Sequence, residues 1–247
     1  MDGNTLEDTR RIIGILGGMG PLATANLEYR IITYNRRAKK DQDHVPIIVI
    51  NDPRVPDRTA YIKGLGRDPR PKLIEGIRKL EKVGADIVFI PCNTAHAFYE
   101  YLVRESSIPI YHMPYRTLLE ASREYSRIIL FATLGTYISK VYERANEFVG
   151  VNLIIPKSDV KEDLMRIIYD KVKAGKEVTE EEIEIILEKV PEVDVVILGC
   201  TELSVLKDKF KKYVDTVDPL DVAAMDAIKF SYGEVSAEEI LPPHARK

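Results

Sequence analysis

The sequence predicts an α/β protein with two similar lobes, each built on a parallel sheet. Throughout its 247 residues, short apolar stretches of strand length alternate with stretches of helical composition. The order of elements restarts near the middle, where the stretch from Arg127 resembles the stretch from Arg11. These arginines lie 116 residues apart and the only two cysteines lie 108 apart, which indicates two matching halves.

The first half predicts four strands separated by three helices. The first strand ends in the glycine loop Gly17–Pro21, and Pro21 suits the first turn of a helix. Residues 51–59, with two prolines, predict an ordered loop. Residues 1–10 are polar and predicted to be frayed or helical. The predicted strands are 11–16, 45–50, 86–90 and 108–111, and the predicted helices are 22–38, 71–83 and 117–125.

The second half repeats this order and closes with a helix and a tail. Its predicted strands are 127–131, 151–155, 194–198 and 213–217. Its predicted helices are one that ends at Phe148 and three at 162–172, 180–190 and 221–230. A tail is predicted at 233–247. We therefore assign residues 1–115 with 219–247 to an N-terminal lobe that carries Cys92. Residues 116–218 form a C-terminal lobe that carries Cys200, and we expect the active site in the cleft between them.

Composition excludes several classes of partner. The 36 basic and 39 acidic residues are interspersed and give a net charge of −3, so neither nucleic acid nor an anionic membrane is an expected partner. No apolar run approaches the ~20 residues that a spanning helix needs. Residues 1–4 lack the pattern of a signal peptide. We therefore expect a cytoplasmic protein with reduced thiols.

The two cysteines carry the functional argument. Cys92 lies in Pro91–His96 and Cys200 in Gly199–Leu203, each directly after a predicted strand, where open α/β sheets bind their ligands. A lone cysteine there is more often a small buried hydrophobe, but two at matching positions indicate a shared role. The two cysteines lack the close spacing of zinc ligands. A disulfide is disfavoured because the expected cytoplasmic location keeps thiols reduced. Two thiols facing each other across a crevice suit proton transfer on opposite faces of one carbon.

Charged residues and histidines supply further candidates. Arg58 and Lys173 are candidate carboxylate anchors, with simple surface charge as the alternative for each. His96 lies one helical turn beyond Cys92, where it would either touch the thiol or be a structural helix residue. His112 follows a buried strand and is expected to be structural.

A dinucleotide site is the rival interpretation of the glycine loop. Gly18–Ala23 matches G-x-G-x-x-A after a strand, and Asp52 follows the second strand. However, Pro21 removes an amide that a pyrophosphate would use, and Asp52 lies ~30 residues on instead of the usual ~20. This interpretation also leaves both cysteines without a function.

Five motifs together resemble the cofactor-independent aspartate/glutamate racemases, and aspartate racemases most closely. In chain order they are Gly17–Pro21, Pro56–Thr59, Pro91–His96, Gly135–Thr136 and Gly199–Glu202, so the resemblance spans roughly residues 11–230. It implies two pseudo-symmetric lobes with the active site between them, a homodimer and two-base racemisation of aspartate or glutamate. It also implies catalysis without pyridoxal phosphate, another cofactor or a metal.

The resemblance also assigns roles to individual residues. Cys92 and Cys200 correspond to the two acid/base thiols. Asn93, Thr94 and Thr201 correspond to residues that bind the α-carboxylate and amino group of the substrate, and Arg58 and Lys173 to anchors of its side-chain carboxylate. Residues 111–116, Tyr-His-Met-Pro-Tyr-Arg, are bulkier and more polar than the family pattern, which leaves the choice of amino acid open. A non-catalytic protein that binds a small dicarboxylate is the second hypothesis.

Overall fold

A computed structural model of the protein describes residues 9–246 and confirms the predicted fold of two parallel-sheet α/β lobes. The first sheet has the strand order β2-β1-β3, and the second has the order β5-β4-β6-β7. Every pairing is parallel, and the first three strands of each lobe share one order. The strands are β1 Ile13–Gly17, β2 Ile47–Asn51, β3 Ile87–Phe89, β4 Arg127–Phe131, β5 Asn152–Ile154, β6 Val195–Leu198 and β7 Asp215–Val217.

Helices connect the strands and cover both sheets. They are α1 Pro21–Tyr34, α2 Arg58–Ile62, α3 Arg70–Lys82, α4 Tyr99–Glu105, α5 Met113–Ala121, α6 Leu134–Ser139, α7 Val141–Asn146, α8 Ser158–Met165, α9 Glu180–Glu188, α10 Lys207–Phe210, α11 Pro219–Ser231 and α12 Ala237–Ile240. A π-helical segment, Arg166–Val172, continues α8. Short 3-10 turns lie at Asp41–Asp43, Asn93–Phe98, Leu203–Leu206 and Pro243–Ala245. Within residues 9–246, no helix has the length and apolarity to cross a membrane.

Both faces of each sheet are buried, as parallel sheets require. In β4, Ile129 and Phe131 pack into one apolar cluster, whereas Ile128 and Leu130 pack into another on the opposite face. This alternation follows the two-residue period of a strand. It makes the inner strands β1, β3, β4 and β6 nearly continuous apolar runs, which is why they could be predicted from composition.

The last long helix returns to the first sheet. In α11, Leu220, Ala223 and Ala224 pack with Leu27 and Ile31 of α1. Small residues at this contact let the two helices approach closely. The chain therefore returns to the first lobe after β7. The lobe limits at residues 115 and 218 stay predictions.

The structure corrects the prediction of a strand at 108–111. Ile110 makes one isolated parallel bridge, to Val88, and no ladder forms. Pro109 has no N–H group to donate, so the ladder cannot continue through it.

Two helix predictions also differ from the structure. The helix expected to run to Phe148 is divided at Lys140, which has a φ of 54° and separates α6 from α7. The helix predicted at 162–172 is α8 followed by the π-helical segment. A change from α to π winding rotates the following residues relative to a regular helix and often occurs at functional sites.

The prediction of a simple tail at 233–247 is wrong for its described part. Residues 233–246 contain α12 and a 3-10 turn, and Ile240, Leu241 and Ala245 are buried against the first lobe. The prediction for residues 1–10 falls almost entirely outside the described residues. Residues 1–4, which lack the pattern of a signal peptide, also lie outside them.

Candidate active site

Each cysteine lies just beyond the third strand of its lobe. Cys92 follows β3 and precedes the 3-10 turn Asn93–Phe98, and Cys200 follows β6. In both turns the cysteine carbonyl accepts a backbone hydrogen bond, from Ala95 at 3.2 Å and from Leu203 at 2.9 Å. Both thiols are free and only 5% exposed. The equivalent placement follows from the shared strand order of the two sheets.

One narrow crevice contains every site residue predicted from the sequence. Cys92, Cys200, Arg58, Asn93, Thr94, Lys173 and Thr201 all line it. The remaining lining residues are Met19, Asp57, Thr59, Thr133, Tyr169 and Glu202. Its free volume is about 10 Å³, roughly the space of one water molecule. The crevice must therefore widen before it can hold an amino acid.

Glu202 places a carboxylate against the thiol of Cys200. The Cys200 Sγ–H donates to Glu202 Oε2 at 2.9 Å. Burial raises the pKa of Cys200 well above its usual value, and the charge and hydrogen bond of Glu202 raise it further. Cys200 is therefore held as a neutral thiol in this state of the protein.

Arg58 gives Cys92 a different electrostatic environment. The preceding Asp57 caps α2 by accepting a hydrogen bond from the Ala60 amide at 2.6 Å, so Arg58 is the first residue of a helix and not part of a loop. Burial lowers the pKa of Arg58, but attraction to Cys92 and Asp57 outweighs this and leaves it raised. Cys92 thus lies beside the cation of Arg58, whereas Cys200 lies against the anion of Glu202, and the charge of Lys173 acts on both thiols.

The guanidinium of Arg58 is largely satisfied by backbone carbonyls. Its Nη2 donates to the Met19 carbonyl at 3.0 Å, and its Nη1 donates to those of Pro56 at 3.0 Å and Val55 at 3.3 Å. Its Nε is buried and has no partner within residues 9–246. The Nε–H donor of this cation is therefore available to a ligand.

Lys173 follows the π-helical segment and reaches the crevice from the second lobe. Its Nζ lies 3.5 Å from Glu202 Oε1 and 4.4 Å from the centre of the Tyr169 ring. Burial lowers the pKa of Lys173, but Glu202, Tyr169 and both cysteines raise it, with a net increase. Glu202 therefore contacts both Cys200 and Lys173.

Asn93 presents an unused amide beside Cys92. Its Oδ1 accepts a hydrogen bond from the Tyr142 hydroxyl of the second lobe at 2.8 Å, which fixes the orientation of the amide group. The buried Nδ2 has no partner among the described residues. A buried donor without a partner is costly, so this NH₂ group is available for an acceptor on a ligand.

Threonines join the two lobes next to the thiols. The Thr94 hydroxyl lies 2.9 Å from that of Thr133 and 3.0 Å from that of Thr136, and Thr201 donates to the Pro91 carbonyl at 3.3 Å. A Cβ atom at Gly135 would come within 2.6 Å of the Thr59 hydroxyl. The glycine in this motif therefore permits close contact between the lobes.

The glycine loop after β1 forms the entrance side of the crevice. Gly18 has a φ of +94°, and a Cβ there would come within 2.1 Å of the Asp52 carbonyl. The loop lines a cavity of about 510 Å³ that shares Arg58, Lys173 and Glu202 with the crevice. This larger cavity offers a route to the thiols.

His96 contacts the backbone of Cys92 and not its thiol. Its Nδ1 lies 2.9 Å from the Cys92 carbonyl, and its Nε2 accepts a hydrogen bond from the Met113 amide at 3.2 Å. Nδ1 therefore carries the proton. Burial lowers the pKa of His96 to about 4, so the ring is neutral near pH 7 and positions the turn.

Several crevice residues were not predicted from the sequence. Glu202 belongs to the motif Gly199–Glu202, but nothing in the sequence indicates that its carboxylate turns back to Cys200. Tyr169 in the lining, and Tyr142 which holds Asn93 from behind it, come from helices whose winding or limits were predicted incorrectly. Asp57 could have been recognised as an N-cap, since Asp before a short helical stretch is a common signal.

The fold and the crevice define a two-lobed α/β protein in which each lobe contributes one thiol to a shared site. Comparison with known proteins then gives the family. The chain belongs to the Asp/Glu/Hydantoin racemase family, whose model matches residues 16–227.

Three relatives illustrate the range of this family. The chain is 27% identical over 216 residues to the broad specificity amino-acid racemase RacX of Bacillus subtilis (strain 168), covering 84% of this chain and 92% of RacX. The solved structure of Picrophilus torridus aspartate racemase matches with a TM-score of 0.76 at 28% identity, covering 90% of this chain and 94% of that one. Glutamate racemase of Aquifex pyrophilus is 28% identical over 147 residues, or 58% of this chain and 56% of the relative.

Proposed function

We propose that this protein interconverts L- and D-aspartate, or the enantiomers of glutamate, by a two-base mechanism that uses Cys92 and Cys200 and no cofactor. The observation that carries the proposal is the pair of buried thiols in one crevice, one from each lobe. Family membership supports racemase chemistry, and the named relatives include racemases of both substrates. A cytoplasmic location and a homodimer remain part of the proposal.

The charges around the thiols suggest which proton transfer comes first. Cys92, beside the Arg58 cation, acts as the thiolate that removes the α-proton. Cys200, which holds its proton against Glu202, donates a proton to the opposite face of the carbon. The reaction leaves Cys92 protonated and Cys200 as thiolate, so the reverse reaction uses the opposite roles. Before the next turnover in the same direction, the two protonation states must exchange through solvent.

Polar groups in the crevice would stabilise the negative charge that develops in this reaction. The carbanion delocalises its charge onto the α-carboxylate, where the free Nδ2 of Asn93 and the backbone amides near Thr94 and Thr201 would donate hydrogen bonds. The side-chain carboxylate of an acidic amino acid would accept from Nε of Arg58 and pair with Lys173. Because Lys173 already contacts Glu202, substrate binding would draw the lysine from one carboxylate to another.

Solvent isotope incorporation tests the proposed reaction. We expect purified protein in D₂O, without added cofactor, to convert L-aspartate or L-glutamate into the D-enantiomer with one deuterium at Cα. The reason is that the donating thiol exchanges its proton with solvent before protonating the carbon. Chiral chromatography coupled to mass spectrometry measures both products.

The same preparation distinguishes the alternatives. Absence of α-hydrogen exchange with all four enantiomers would overturn the proposed substrates. A non-catalytic dicarboxylate-binding protein would show thermal stabilisation by aspartate without exchange, and this stabilisation would survive loss of both thiols. A dinucleotide-binding protein would bind NAD(P)H in a fluorescence titration.

Glu202→Gln tests the control of Cys200 by its neighbouring carboxylate. Glu202 raises the pKa of Cys200, so removing its charge should lower that pKa. The alkaline limb of the pH profile of kcat/KM, where the donating thiol loses its proton, should move to lower pH by about one unit. The profile is measured with the enantiomer whose α-proton Cys92 removes, which is the enantiomer that keeps exchanging its α-hydrogen in Cys200→Ala, because Cys200 is the proton donor in that direction.

Glu192→Gln is the matched control. Glu192 is 87% exposed and pairs with Arg127 on the surface, so this change removes the same charge without touching the crevice. Its pH profile should match that of the wild type. An alkaline limb in Glu202→Gln that coincides with the wild-type limb would contradict the role assigned to Glu202.

A further inference from the structure

A second cavity lies between the lobes and shares no residue with the thiol crevice. It is formed by the start of α4, the start of α5, the segment from α7 to Phe148, and the C-terminal turn with His244. Its volume is about 270 Å³, and most of its lining is apolar. This is near the lower end of the volumes of small-molecule sites and suits one ring or two fused rings.

Aromatic rings form most of its walls. The rings of Tyr99 and His112 meet edge to face with centres 4.3 Å apart. The rings of Phe148 and His244 are stacked at 4.8 Å with 25° between their planes. Walls of this kind favour a planar ligand, because offset stacking and edge contacts both need a flat π surface.

His112 supplies a hydrogen-bond donor to this cavity. Its Nδ1 accepts a hydrogen bond from the Tyr115 amide at 3.0 Å, so Nε2 carries the ring proton. His112 is only 6% exposed, and its Nε2 makes no hydrogen bond to residues 9–246 but is not fully enclosed, so a ligand in the cavity can reach it. Burial lowers the pKa of His112 well below its usual value, with His96, His244 and Arg144 acting in the same direction. The ring is therefore a neutral donor that lacks an acceptor.

The charged groups of the lining are Glu100, Arg144, Glu147 and His244. Glu100 is engaged by His244, whose Nε2 lies 2.7 Å from Glu100 Oε1. The side chains of Arg144 and Glu147 have no ion pair or hydrogen bond to any residue within 9–246. Arg144 is thus an unpaired cation on the same lining as the His112 donor.

We propose that this cavity is a binding site for a small planar aromatic or heteroaromatic carboxylate. The ring would lie among Tyr99, His112, Phe148 and His244. One carboxylate oxygen would accept from Nε2–H of His112, and the carboxylate charge would pair with Arg144. His96 lines this cavity and contacts the Cys92 carbonyl, so the site and the Cys92 turn share one residue.

The four histidines provide the test. His96, His112 and His244 line the cavity, whereas His44 lies elsewhere. In protein labelled with ¹³C and ¹⁵N at histidine, we expect indole-3-carboxylate to shift the imidazole signals of the three lining residues saturably and to leave His44 unchanged. Uncharged indole should bind at least tenfold more weakly. These signals report binding directly, so the result is independent of racemase activity.

Three variants distinguish a specific site from nonspecific binding. Arg144→Gln should weaken indole-3-carboxylate at least tenfold and leave indole unaffected, whereas the exposed Arg104→Gln in α4 should change neither. Ala145→Leu, which fills the cavity, should abolish the shifts of both probes. Absence of saturable shifts with the carboxylate, or equal affinities for the two probes, would overturn the proposal.

Discussion

Cys200→Ala is expected to reduce racemisation of the substrate by about 10²- to 10⁴-fold, the range over which a positioned acid or base accelerates proton transfer. Cys92 would still remove and return a proton on its own face of the carbon. One enantiomer should therefore continue to exchange its α-hydrogen with solvent without inversion. Proton NMR in D₂O follows the exchange, and chiral chromatography follows the inversion.

Cys92→Ala should reduce racemisation to the same extent and move residual exchange to the other enantiomer. The opposite stereochemical preference is the essential part of this prediction, because general loss of structure would abolish exchange of both enantiomers. Cys→Ser variants provide shape-matched controls, since a hydroxyl is far less acidic than a thiol. Near-normal racemisation by either alanine variant would contradict the two-base mechanism.

The main features of the fold could be predicted because parallel strands buried on both faces are continuous apolar runs. Because these runs repeat in the second half of the chain, the two lobes could also be predicted. Errors arose where a single residue controls the backbone. Pro109 interrupts the expected strand at 108–111, and Lys140 adopts a left-handed conformation that divides the helix expected to end at Phe148. Neither effect is visible in the hydrophobic pattern.

All seven predicted site residues lie in one crevice because both cysteines follow third strands of matching sheets. The sequence could not predict how the charges would be distributed between the thiols. That distribution depends on side-chain conformation, which turns Glu202 back to Cys200 and brings Arg58 near Cys92. Position along the chain was predictable, but contacts between side chains were not.

Two residues of the unusual segment 111–116, Tyr111 and Arg116, have a structural role. None of its residues lines the thiol crevice. The Tyr111 hydroxyl donates to Asp226 Oδ2 at 2.8 Å, and Arg116 donates through Nε at 2.7 Å and Nη2 at 3.0 Å to the same carboxylate. This buried network joins α5 to α11.

Asp226→Asn is therefore expected to lower the free energy of unfolding by about 3–5 kcal/mol. Asp226 is 3% exposed, and its carboxylate is the ion-pair partner of the buried Arg116. Losing the negative charge would leave the guanidinium uncompensated in a medium of low polarity. In the wild type, attraction to Asp226 raises the pKa of Arg116 against the effect of burial. Without Asp226 the guanidinium would still keep its proton, because arginine is effectively always charged in proteins. Urea denaturation at pH 7 measures the loss as a lower midpoint.

A double replacement distinguishes charge loss from poor packing. Arg116→Met combined with Asp226→Leu removes both charges and keeps apolar volume at the site, so it should be more stable than either Asp226→Asn or Arg116→Met alone. Adding Tyr111→Phe should recover further stability, because it removes the hydroxyl left without an acceptor. A cost below about 1 kcal/mol for Asp226→Asn would show that this ion pair contributes no more than one on the surface. Since the network lies outside the crevice, the double variant should keep its α-hydrogen exchange while its stability changes.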